Sequence, residues 1–98
     1  MGVLLDFLIR VALTATAAWL IAEVVSYFVT KQNLRQIIIE KKNSSQFQNA
    51  VCAMIKNNNG HECSFDMLDS FDNNLGSGKV SSDIGISNDI QSGDIIIL

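Results

Sequence analysis

Few residues of this 98-residue chain are of types that do chemistry, and their spacing limits what they can do. His61-Glu62-Cys63 places an imidazole, a carboxylate and a thiol in consecutive positions. Zinc usually takes four ligands, and no second pair stands elsewhere to complete the set, so no metal site is expected. Asp66, Asp69 and Asp72 recur every third residue and suggest calcium. An EF-hand loop needs oxygen ligands at alternate positions, a glycine and a final Glu, and this spacing lacks them, so solvated strand and turn carboxylates are expected. Gly76-Ser77-Gly78-Lys79 lacks the upstream glycine and the Lys-Ser/Thr ending of a phosphate loop. His61, the single histidine, falls at an expected hairpin tip, and no serine has a visible base partner. The expectation is a non-enzymatic protein with no catalytic residue, cofactor or metal. Cys52 and Cys63 are read as reduced core thiols, because the segment carrying them is assigned to a reducing compartment.

The remaining chemically distinctive residue is Glu23, the one ionisable group in the nineteen residues Val11 to Val29. About twenty apolar residues cross a hydrocarbon core roughly 30 Å thick, so this run is read as a transmembrane helix that satisfies its own backbone. Asp6 and Arg10, spaced i and i+4, can pair at its outer end, and Tyr27 falls near the inner interface. A cleaved signal peptide is disfavoured by the acidic Asp6 ahead of any basic residue, and myristoylation of Gly2 by Asp6 where Ser or Thr is required. A buried helix of a larger core is disfavoured because residues 43 to 98 are too few and too polar to enclose it. On the anchor, Ala18, Ala22 and Ser26 form a small-residue stripe with Glu23 at its edge, a surface for helix–helix contact and homo-oligomerisation.

Charge divides the chain further. Residues 1 to 30 hold Asp6, Arg10 and Glu23; residues 31 to 42 hold Lys31, Arg35, Lys41 and Lys42 against Glu40; residues 43 to 98 hold two lysines against seven carboxylates. The acidic balance beyond position 42 excludes a nucleic-acid partner. The basic cluster after the span predicts an inner-membrane protein with its N-terminus outside and its C-terminal part in the cytoplasm. Lys31, Arg35, Lys41 and Lys42 would then rest on anionic lipid.

Three segments result: a transmembrane anchor over 1–30, a basic juxtamembrane helix or linker over 31–45, and a small cytoplasmic β domain over 46–98. Leu34, Ile37 and Ile38 at helical spacing carry the second segment as a helix to about Lys42, ending in Asn43-Ser44-Ser45, with a break at 30–33 as the alternative. In the third, apolar runs at Phe47 to Lys56, Cys63 to Leu68, Lys79 to Ile84 and Asp94 to Leu98 alternate with turn signals. Residues 46 to 56 also fit a helical period. Asn59-Gly60 read as a two-residue hairpin loop sets Lys56 opposite Cys63, Met54 opposite Phe65 and Cys52 opposite Met67, which puts Cys52, Met54, Cys63, Phe65 and Met67 on one face. Asn73-Asn74 and Gly76-Ser77-Gly78 mark a second turn, and Ser87 to Ile90 a third. The fold class expected is α+β: one transmembrane helix followed by an antiparallel SH3-like or OB-like roll of four or five strands.

The expected function is that of a single-pass membrane protein whose β module binds another protein or serves as an accessory subunit. The alternative is a membrane-permeabilising protein of holin or toxin type acting through helix oligomerisation. The abundance of Asn, Ile and Lys agrees with a low-GC bacterial source.

Overall fold

The computed structural model describes residues 19–98, with side chains from Ile21 onward. The elements run β1 (Trp19–Val25), α1 (Lys31–Asn43), β2 (Cys52–Asn58), β3 (Glu62–Leu68), β4 (Asn74–Ser82) and β5 (Ile95–Ile97). The strands form one sheet in the order β1-β4-β3-β2-β5. β2, β3 and β4 make an antiparallel meander, β5 joins β2 antiparallel, and β1 joins β4 parallel.

No helix among the described residues is long and apolar enough to cross a membrane, and residues 19 to 25 are a strand of the sheet. The expected span over 11–29 therefore fails in its second half, and with it the single-pass plan, the helix–helix stripe and the inner-membrane placement with an outside N-terminus. Residues 1 to 18, including Asp6, Arg10 and Ala18, lie outside the described residues. The physical reason is that an apolar run rich in Trp, Leu, Ile and Val suits a strand as well as a helix. A sheet also satisfies backbone groups, here by pairing Ile21 to Val25 with Gly78 to Ser82. Run length measures hydrophobicity; it does not choose between these two solutions.

α1 begins at Thr30, whose side chain accepts from the Asn33 amide at 3.1 Å while the Asn33 side chain accepts from the Thr30 amide at 3.1 Å. This reciprocal cap satisfies two amides that the helix start leaves without a partner. The break expected as an alternative at 30–33 is thus a helix N-terminus, and the expected stop at Asn43 to Ser45 is observed, with the Ser44 amide bonded to the Lys42 carbonyl. Leu34, Ile37 and Ile38 are buried in the same core as Ile21, Ala53, Ile55, Cys63, Phe65, Met67, Val80 and Ile96. The apolar stripe of the helix covers one face of the sheet.

The β2–β3 hairpin differs from the expected register by one residue. Ala53 opposes Met67, Met54 opposes Asp66 and Ile55 opposes Phe65, with a bulge at Lys56 that brings Asn58 opposite Cys63. The Asn59 amide bonds the Glu62 carbonyl at 3.0 Å, so the two residues enclosed are Gly60 and His61, one position later than the expected Asn59-Gly60. The Asn59 side chain accepts from the amides of His61 and Glu62 at 3.0 and 2.8 Å, which stabilises the turn at this position. Because side chains alternate along a strand, the slip turns β2 over. Ala53 and Ile55 enter the core and Cys52 and Met54 lie half-buried on the other face, while Cys63, Phe65 and Met67 remain buried as expected.

Gly76-Ser77-Gly78 is also not a turn: all three residues lie inside β4. A Cβ on Gly78 would stand 2.4 Å from Cε2 of Phe65 and 3.0 Å from Cβ of Ile21. The glycine makes room for the Phe65 ring between β1 and β3. The turn sits earlier, at Asp69 to Asn73, where the Asp69 carboxylate accepts from the amides of Phe71 and Asn73 at 2.9 Å each. The Asp69 carboxyl is held below its usual pKa, mainly by the Asn73 amide. Of the ambiguous stretch 46–56, residues Gln46 to Asn49 form turns that bury Phe47, and the strand begins at Cys52.

Among the described residues the sheet is open, with β1 and β5 at its two ends. This replaces the expected roll, whose closure would require the end strands to meet. The 12-residue connection from Asp83 to Asp94 returns the chain from β4 to the far edge. It packs Ile86 and Ile90 into the core and is tied by the Asn58 side chain, which donates to the carbonyls of Ser87 and Ile90 at 3.0 and 2.9 Å.

Candidate interaction surface

Strand β5 is three isoleucines, and the sheet gives each a different fate. Ile96 is buried, whereas Ile95 and Ile97 are 51% and 66% exposed on the face away from α1. The pairing with β2 also assigns their main-chain groups. Leu98 donates to the Val51 carbonyl at 3.0 Å and Ile55 donates to the Asp94 carbonyl at 2.8 Å. In an antiparallel ladder hydrogen-bonded pairs alternate with non-bonded ones, so Ile96, the Leu98 amide and the Asp94 carbonyl face β2, while the Asp94 amide donates to the Gln91 carbonyl at 3.0 Å. Ile95 and Ile97, opposite Met54 and Cys52, turn theirs to the outer edge.

α1 supplies the other wall of that edge. Arg35 Nε donates to the Ile97 carbonyl at 2.7 Å. One turn earlier Lys31 pairs with Asp94 at 3.3 Å. Asp94 is itself fixed by accepting from the Gln91 amide at 2.9 Å. That bond, and then Lys31, hold the Asp94 carboxyl below its usual pKa. Lys31, Gln32, Arg35 and Ile95 to Ile97 thus line an open groove of about 440 Å³, apolar along the strand and basic along the helix.

The other residues singled out in the sequence are dispersed. Ala22 is exposed in β1 opposite Lys79, and Ser26 is exposed just after that strand. Glu23 lies on the helix-covered face and pairs with Lys41 at 2.8 Å, which raises the Lys41 pKa. Lys42 donates to the Gln48 carbonyl at 3.0 Å. The four basic residues expected on lipid therefore all contact their own fold, at separate points along α1. His61 is exposed, with Nδ1 3.0 Å from the Ser82 carbonyl. A carbonyl only accepts, so Nδ1 carries the proton.

Both cysteines are free. Cys52 faces Leu68 and Cys63 faces Asn58, so they sit near opposite ends of the hairpin. Burial pushes the Cys63 thiol up to about 11. Asp66 is only 6% exposed; it accepts from Ser77 Oγ at 2.7 Å and stands 3.7 Å from Lys56 Nζ. Asp69 caps its turn and Asp72, at φ 63°, completes it. Among the described residues no three His, Cys, Asp or Glu side chains cluster as metal ligands would.

Sequence reasoning singled out Lys31 and Arg35 but not Ile95 and Ile97. Three identical residues in a row carry no alternation that marks which one faces the core. Comparison with family models, curated proteins and solved structures finds no match for this chain.

Proposed function

We propose that this chain is a non-enzymatic protein-binding module whose β5 edge takes up an extended segment of a partner protein by strand addition. The observation that carries this reading is the state of Ile95 and Ile97: apolar, at least half exposed, with main-chain groups on an outer edge whose Ile97 carbonyl is occupied by a long, movable side chain. Strand addition draws affinity from such main-chain groups and specificity from alternate side chains. Sheets commonly protect an edge with charged side chains, and Arg35 does this reversibly, since an incoming amide can replace its Nε.

The test is selection of binders from a random library of seven-residue peptides, repeated on an Ile97→Pro variant. Proline at a sheet edge removes the outward amide while leaving the pairing on the other side. Peptides that bind the native chain and lose binding to Ile97→Pro, at an unchanged melting temperature, support the edge. Binders indifferent to the substitution would place recognition elsewhere.

A further inference from the structure

We infer that the segment accepted by the β5 edge alternates apolar and acidic residues, with two carboxylates spaced i and i+2 turned toward α1. This inference rests on the strand-addition reading and specifies its ligand. A strand paired outside β5 would have its side chains alternate in phase with those of β5. Residues opposite Ile95 and Ile97 would lie beside those two exposed side chains, away from the helix. The intervening residues would point to the α1 side, where Lys31 and Arg35 line the groove.

The spacings agree. Alternate strand residues are about 6.6 to 6.8 Å apart, and one turn of helix from Lys31 to Arg35 rises about 6 Å. α1 runs in the same direction as β5, since Lys31 contacts Asp94 and Arg35 contacts Ile97. The Arg35 guanidinium uses Nε for the Ile97 carbonyl, and its two Nη groups make no hydrogen bond among the described residues. That leaves the planar fork that pairs with a carboxylate in two parallel bonds. Lys31 is already matched by Asp94, so the groove keeps one uncompensated positive charge, centred on Arg35. A second copy of the chain is disfavoured as the occupant, because antiparallel β5–β5 pairing would bring two such charges together.

The probe is acetyl-Thr-Val-Glu-Val-Glu-Val-Thr-amide on a short polyethylene glycol tail, compared with the same peptide carrying Gln for both Glu. Binding to the full chain is followed through backbone amide shifts. The inference expects shifts at Ile95 and Ile97, and about fivefold tighter binding of the Glu peptide at low salt, since exposed ion pairs contribute modestly. The difference should fall below about twofold near 0.5 M salt, where screening is short-ranged. Arg35→Gln should remove most of the preference and Lys31→Gln a smaller part. Equal binding of both peptides with shifts at β5 would overturn the acidic preference and keep the edge. No β5 shifts with either peptide would overturn the edge reading as well. Concentration-dependent dimerisation that moves the same amides would make a second copy the occupant and overturn the inference.

Discussion

The two edges of the sheet are braced by opposite ends of one helix, and they are braced differently. At β1 the brace joins two side chains, Lys41 to Glu23. At β5 it includes a bond to the main chain, Arg35 to the Ile97 carbonyl, beside the Lys31–Asp94 pair. α1 therefore crosses the sheet obliquely. A side-chain ion pair positions a strand without touching its hydrogen-bonding groups. A side-chain donor on an edge carbonyl occupies a group that a partner strand would use, and among the described residues this is found at the short β5.

The comparison depends on the central strands, and breaking them should have the largest effect. Gly78→Val should destabilise the protein by about 3 kcal/mol or prevent folding, because the new side chain meets the Phe65 ring and Ile21 together. Thermal or urea unfolding checks this, and a stable Gly78→Val protein would contradict the close approach of β3 and β4. Next comes β5 itself. Ile96→Ala should cost about 2 to 4 kcal/mol and Ile97→Ala about 0.5 kcal/mol, since one is in the core and the other mostly exposed. Equal losses in urea unfolding would mean that the two faces of β5 are not distinguished.

Thr30→Ala removes half of the reciprocal cap and should cost about 1 kcal/mol. Hydrogen exchange should then quicken in the first turn of α1, on the β5 side, more than near Lys41. The smallest effects separate the two braces by pH. Asp94 is held below its ordinary 3.8, so its contribution is present above that value and disappears as pH falls through its lower native pKa. Lys41 is held above its ordinary 10.5, so its contribution is present below that value and disappears as pH rises through its higher native pKa. The Asp94 carboxyl carbon and the Lys41 Cε, followed by NMR through these two ranges, should titrate below and above the ordinary values. Either group titrating at its ordinary value would remove the corresponding brace.

Thiol reactivity provides a further check on the hairpin register. Cys52 should be alkylated in the native protein before Cys63, whose thiol is buried and raised to about 11. Equally slow alkylation of both thiols, read by mass spectrometry of digested protein, would restore the register in which Cys52 and Cys63 share the core face.

Legibility in the sequence tracked the range of the interactions. The helix over Leu34, Ile37 and Ile38, its stop near Asn43, the buried face of β3 and the turn at Asn88–Asp89 depend on neighbours a few residues apart, and these were legible. The hairpin register was not, because the Asn59 side chain holds the turn one residue later, at Gly60-His61, and the bulge at Lys56 displaces the pairing of Asn57 and Asn58. Gly78 looks like a turn residue in the sequence because a glycine that makes room for a distant ring has the same local appearance as one that permits a bend. Half of the candidate site, Lys31 and Arg35, stood out by charge. The other half, Ile95 and Ile97, did not stand out among three isoleucines.

By itself, the sequence determined the apolar faces of α1 and β3, the chemistry available to α1 and the turn at Asn88–Asp89, since spacing and side-chain type act locally. Only the tertiary structure decided that Trp19 to Val25 is a strand beside β4. Pairing with residues more than fifty positions away satisfies its backbone, and a linear pattern holds no record of that partner. The same holds for β5: the ladder with β2 turned Ile96 inward and left Ile95 and Ile97 exposed on the other face, at the edge that Lys31 and Arg35 flank.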